Sequence, residues 1–119
     1  MMATLSDSIL VTIKKLLGID SSYTEFDQDI VIHINSVFSI LQQLGVGPDT
    51  GFHITGDTET WSQFTNNDSE IQNVISYMYM SVRLLFDPPT NSTILKSYQD
   101  LIKEYEWRLN VAVDPGESS

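Results

Sequence analysis

Residues 71–92 read IQNVISYMYMSVRLLFDPPTNS. Ile71, Val74, Ile75, Met78, Val82 and Leu85 recur at helical spacing, and the run stops at Asp87. Proline lacks a backbone donor and drives the preceding residue out of the helical region, so Pro88 and Pro89 end this helix sharply and stiffly. Thr90, Asn91 and Ser92 then offer side-chain oxygens suited to the start of another helix. The stretch reads as two helices joined by a rigid corner. Eleven of the sixteen positions from Ile71 to Phe86 are hydrophobic, and Tyr77, Tyr79, Met80 and Leu84 project away from the main stripe. A helix apolar on every side is either central to a domain or shared with a partner. In a four-helix chain of this size we expect a partner, and assign these four residues to an interface.

Two helices precede this pair. Ser6 suits an N-cap, Asp7 complements the helix dipole, and Ile9, Ile13, Leu16 and Leu17 share a face. With Lys14 and Lys15 in its last turn and Gly18 as a left-handed stop, the first helix spans roughly Asp7 to Leu17. The second starts after Thr24, with acids at Glu25, Asp27 and Asp29. Its stripe runs through Phe26, Ile30, Ile34, Val37, Phe38, Leu41 and Leu44 to a stop at Gly45. Ile94, Tyr98, Leu101, Ile102, Tyr105 and Leu109 form a last amphipathic helix, ending near Val113, with Glu104 and Arg108 in favourable register.

Between the second and third helices, residues 45–67 hold four of the six glycines. Phe52 and Ile54 alternate with His53 and Thr55, and Gly56 with Asp57 suits a tight turn, so a small β-hairpin from Phe52 to about Trp61 is one reading. A single helical turn from Thr60 to Phe64 is the other. A lone hairpin is marginal in water. Trp61 and Phe64 therefore either anchor the segment to the helices or hold it against a neighbouring chain. The expected fold is mainly α: one four-helix domain over 1–113, with a long Gly-rich loop or small hairpin between helices two and three. Residues 114–119, DPGESS, form an expected flexible tail.

The chain has 119 residues, no cysteine and a formal charge of −10. No disulfide or thiolate site is available, and we expect synthesis in a reducing cytoplasm with no membrane span. The acidic charge opposes a broad grip on nucleic-acid phosphates. His33 and His53 lie outside metal-ligand spacing, and Asp27 with Asp29 reads as helix N-terminal charge. No nucleophile elbow or phosphate loop is present, so we expect neither an enzyme nor a cofactor.

The order of elements, with ITGDTETWSQF (54–64), VRLLFDPP (82–89) and EWRLNV (106–111), resembles the head-tail connector proteins of tailed bacteriophages from Ile9 to Val113. The likeness is carried most by Trp61 with Phe64, by Arg83 to Pro89 and by Glu106 to Asn110. It implies a structural virion protein of the head-tail neck: an adaptor that joins a twelvefold ring of itself beneath the portal and supports a stopper or tail-completion protein. DNA would pass its acidic channel without specific binding. The resemblance adds Trp61, Phe64, Pro88, Pro89 and Trp107 to the expected interface. The alternative reading is a stand-alone acidic helical module, of inhibitor or nucleic-acid-mimic type.

Overall fold

A computed structural model describes residues 4–65 and 68–113; the expected tail, 114–119, lies outside the described residues. Five helices follow in order: α1 (Ile9–Leu16), α2 (Asp27–Gln43), α3 (Trp61–Phe64), α4 (Asp68–Phe86) and α5 (Ser92–Val113). α4 is the central element and packs on α1, α2 and α5. Ile30, Ile34, Val37, Phe38 and Leu41 of α2 are buried in one core with Ile9 and Ile13 of α1 and Ile71, Val74, Met78 and Val82 of α4. The middles of the apolar stripes read from the sequence are thus the faces that meet, while stripe residues Leu16, Phe26, Leu85, Ile94 and Leu101 remain exposed because they lie beyond the zone where the helices pack. Tyr77 is 0% exposed, and its hydroxyl donates to Glu106 of α5 at 2.9 Å. The surplus apolar side of α4 is covered largely from within the chain.

The helix ends have local causes. α1 and α2 both close in Schellman geometry: Ile19 N–H donates to Lys14 O and Gly18 N–H to Lys15 O, while Val46 N–H donates to Leu41 O and Gly45 N–H to Gln42 O. Gly18 and Gly45 take the positive φ angles, 83° and 84°, that this geometry requires. α1 begins at Ile9 rather than Asp7, and its cap is Ser8, whose side chain accepts from Val11 N–H. The cause is the strand-like pairing of the preceding residues: Ile9 N–H donates to Glu59 O, Trp61 N–H to Asp7 O and Ser62 N–H to Leu5 O. Thr24 is likewise not the cap of α2; its carbonyl accepts from Asp27 N–H, and Phe26 holds the cap position.

Lys14, read from the sequence as a last-turn cation, is 2% exposed. Its ammonium donates to Ser21 O at 3.2 Å and Tyr23 O at 2.6 Å, and lies 2.7 Å from Asp27 Oδ1. A buried ammonium is tolerable only when its donors are met, and here they tie α1, the 18–26 loop and the start of α2 together.

No hairpin forms over 52–61. Among the described residues the isolated bridge is between Ser8 and Thr60, and the segment is a loop ending in the single turn α3. The partner that a second strand would supply is a side chain. Asn35 of α2 accepts from Ile54 N–H at 2.8 Å and donates to Ile54 O at 2.9 Å, which satisfies both backbone groups of a buried residue. Trp61 then anchors the turn: it is 0% exposed, and its indole N–H donates to Thr12 Oγ1 at 3.1 Å. Phe64 packs on Phe38 and Phe52, with ring centroids 4.8 and 5.6 Å away. Gly47 leaves room for that ring, since a Cβ there would lie 2.4 Å from it.

Two outcomes follow. Asn35→Ala should cost about 2 kcal/mol, the penalty of leaving buried backbone groups unmet, read as a lower melting temperature and faster amide exchange at Ile54 with α2 still helical. The second concerns Glu59. Partial burial opposes its charge, yet hydrogen bonds from Thr55 N–H, Thr55 Oγ1 and Gly56 N–H hold its carboxyl below the ordinary value of 4.5. Stability from such a group is present above the ordinary value and is lost as pH falls through the lowered one. Protection of the Thr55 and Gly56 amides, measured as exchange relative to the intrinsic rate at each pH, should therefore fall on acidification below pH 4.5, and Glu59→Gln should blunt that response.

Candidate functional site

The surface features of the molecule gather around α5. Among the described α5 side chains only Leu109 is fully buried, so the helix lies on the bundle rather than within it. Its fastening is polar at both ends. At the start, Asn91 Oδ1 accepts from Thr93 and Ile94 N–H at 2.8 and 3.1 Å, the cap foreseen for the corner. At the far end, Asn110 donates to Leu44 O, 3.1 Å away, and so meets a terminal carbonyl of α2.

The corner is braced by Arg83. Its Nε donates to Asp87 O at 3.3 Å, and its Nη1 donates to the hydroxyls of Tyr79 and Tyr98, each at 3.2 Å. The guanidinium also sits 5.5 Å from the Tyr98 ring centroid, a distance at which cation and ring attract. One side chain thereby joins the end of α4, the turn before Pro88 and the first half of α5. The phenol of Tyr98 is raised above its ordinary pKa, first by its hydrogen bond with Tyr79 and then by partial burial. For Tyr77, burial first and the Glu106 carboxylate second push the phenol far up, so it stays a donor and holds the middle of α5.

Between α1, α4 and α5 runs an open groove of about 540 Å³. Val11 and Leu16 line it from α1, Ile75, Tyr79 and Met80 from α4, and Leu101 and Tyr105 from α5. On the other side of α5, Trp107 is 67% exposed, with Val111 exposed beside it. A smaller hollow of about 400 Å³ lies where α2 meets the 55–57 loop, lined by Leu10, Val31, Ile32, Asp27 and Asp57. Among the described residues no three His, Asp or Glu side chains are arranged to hold a metal ion, and no helix is long and apolar enough to cross a membrane.

The nine residues assigned to an interface from the sequence fall into separate places. Trp61, Phe64 and Tyr77 belong to the core of the single chain. Met80 is buried and Tyr79 half-buried, both at the groove. Leu84 and Pro89 are half-buried, and Pro88 and Trp107 are exposed. Arg83, which the sequence marks only as part of the likeness, has its bracing role signalled by Tyr79 four residues earlier, and Leu101, read as part of an apolar stripe, becomes a wall of the groove only once α5 is docked.

The sequence model of the phage connector protein family matches residues 9–116. No curated protein and no solved structure matches the chain.

The brace separates two causes of rigidity at the corner. Arg83→Ala should cost about 1 kcal/mol and speed amide exchange over 87–95, with helix content unchanged. Replacing Pro88 and Pro89 by alanine should leave those hydrogen bonds in place but remove two fixed φ angles. Amide exchange over 87–95 would then rise less than in Arg83→Ala if the brace dominates.

Proposed function

Because this chain belongs to the phage connector protein family, a family of structural head-tail connectors rather than enzymes, we propose that it is the adaptor subunit of the neck. In this reading, twelve copies form a ring beneath the portal of the DNA-filled head and present a platform to a stopper or tail-completion protein. The family match over nearly the whole chain carries the reading. The structure supports it through surfaces that suit protein contact: an apolar groove beside a lightly seated helix, an exposed tryptophan on that helix, and a braced corner that fixes the helix angle. A ring tolerates little angular error, because a tilt repeated at every contact prevents closure. The −10 charge fits a passage that repels the phosphate backbone and lets DNA move without sticking.

One observation favours the acidic-module alternative. Between residues 20 and 60 the chain carries Asp20, Glu25, Asp27, Asp29, Asp49, Asp57 and Glu59 with no lysine or arginine, a concentration that a nucleic-acid mimic would use.

Light scattering of the chain alone and mixed with its cognate portal separates the two. The expected result is a portal complex whose added mass corresponds to one chain per portal subunit. A chain that ignores the portal yet binds a nucleic-acid-binding protein in competition with DNA is a mimic. A complementary outcome concerns the groove: Leu101→Glu should leave melting within about 0.5 kcal/mol of the parent, as for an exposed position, and weaken portal binding or ring formation at least tenfold.

A further inference from the structure

Four aromatic rings form a row where the start of α2 meets the end of α4. Tyr23 stands edge-on to Phe26 with centroids 5.6 Å apart, Phe26 to Phe86 at 5.4 Å, and Phe86 to His33 at 6.4 Å. The row is open to solvent: Tyr23 and Phe26 are 48% and 39% exposed, and Leu85 beside Phe86 is exposed as well. Residues three and four apart are neighbours on a helix, so Asp29 shares the side of α2 that carries Phe26 and His33. Glu25 precedes Phe26 and Asp87 follows Phe86. All three acids are exposed, and none pairs with a lysine or arginine among the described residues.

The two bases nearest the row are committed elsewhere. The buried Lys14 ammonium donates to the carbonyls of Ser21 and Tyr23 and contacts the Asp27 carboxylate. It thereby fixes the loop that carries Tyr23 into the first turn of α2, and it neutralises Asp27, which adds no charge to the patch. Arg83 turns to the hydroxyls of Tyr79 and Tyr98 and meets Asp87 through its carbonyl, not its carboxylate. From Leu16 to Val82 the chain has no lysine or arginine. The row is therefore a rigid, anionic aromatic surface, set in place before any partner arrives.

Exposed rings edged by carboxylates suit one cation above others. A guanidinium is planar, weakly hydrated and rich in donors, so it stacks on a ring while bonding to an acid. The chain seats its own arginines in this manner. Arg83 lies 5.5 Å from the Tyr98 ring centroid, and Arg108 lies 5.7 Å from that of Tyr105 while pairing with Glu104. Both arginines are thus engaged at home, and a second copy of the chain has none to give.

We infer that the ring row from Tyr23 to His33, edged by Glu25, Asp29 and Asp87, docks an arginine-bearing apolar segment of a different protein. Phe26, between Glu25 and Asp29 in the chain, is the seat for the guanidinium, and Leu85 receives the apolar neighbour. The inference goes beyond the neck reading, because it names the chemistry of a partner and stands whether or not that partner is the portal.

The test is a titration of the isotope-labelled full chain with a short capped peptide of alternating leucine and arginine, followed by amide chemical shifts. The same peptide with citrulline or lysine in place of arginine is run beside it. The expected result is saturable shifts confined to residues 23–33 and 84–88. Binding should be roughly tenfold weaker for citrulline, which keeps the shape and loses the charge, and roughly threefold weaker for lysine, which stacks less well. Glu25→Gln combined with Asp29→Asn should weaken the arginine peptide roughly tenfold with the helical spectrum unchanged. Phe26→Leu keeps an apolar contact for Phe86 but removes the ring face, and should weaken it roughly threefold.

Shifts spread over the whole acidic surface would overturn the proposal, as would equal affinity for the lysine peptide together with unchanged binding by Phe26→Leu. Self-association of the chain alone that these variants abolish would also overturn it, since a second copy would then cover the row. Light scattering with the cognate portal separates this inference from the neck reading. A parent chain that binds the peptide at the row but ignores the portal upholds the inference and overturns the neck reading, whereas portal binding without peptide binding does the reverse.

Discussion

α4 is apolar on more than one side, and the arrangement of the other helices answers that constraint. Its main stripe meets α2 and α1, and its second apolar side, with Tyr77 at its centre, is roofed by α5. Burial of a phenol is acceptable only with a partner for the hydroxyl, so Glu106 is as much a part of the core as the aliphatic residues around it. α5 consequently has to approach closely in its middle, while its ends are held by Arg83 and Asn110. What remains of α4's apolar surface after this roofing is the groove, whose walls include Ile75, Tyr79 and Met80.

Much of this architecture is legible in the residues. The helical stripes, the glycine stops at Gly18 and Gly45, the proline corner and its Asn91 cap all rest on rules acting within a few positions of the chain. The expectation of a partner for α4 shows where such rules end. Counting apolar positions says that a face must be covered, and says nothing about whether the cover is a neighbouring chain or a later helix. Tyr77 reads from that count as an interface residue and the fold uses it internally, while for Trp61 and Phe64, read as anchors either to the helices or to a neighbouring chain, the fold takes the first course.

Two further features were invisible for a related reason. Lys14 is satisfied chiefly by the carbonyls of Ser21 and Tyr23, and a backbone carbonyl has no identity in a sequence. Asn35 sits among apolar residues of α2, where an amide reads as a neutral surface position. Its role depends on Ile54, nineteen residues away, arriving with its peptide groups exposed.

The amide of Asn35 also settles what kind of surface the 52–60 loop offers. Alternating residues such as Phe52, His53, Ile54 and Thr55 would, in a hairpin, leave a row of unpaired peptide groups along one margin. Such margins recruit identical margins from other chains and template aggregation. Here the one buried member of the row, Ile54, has both peptide groups closed off by a side chain of its own molecule. Where many copies are crowded together, that closure denies the loop a route to cross-β stacking. The amide works as a chemical end-stop, giving an extended segment its hydrogen bonds without making it sticky.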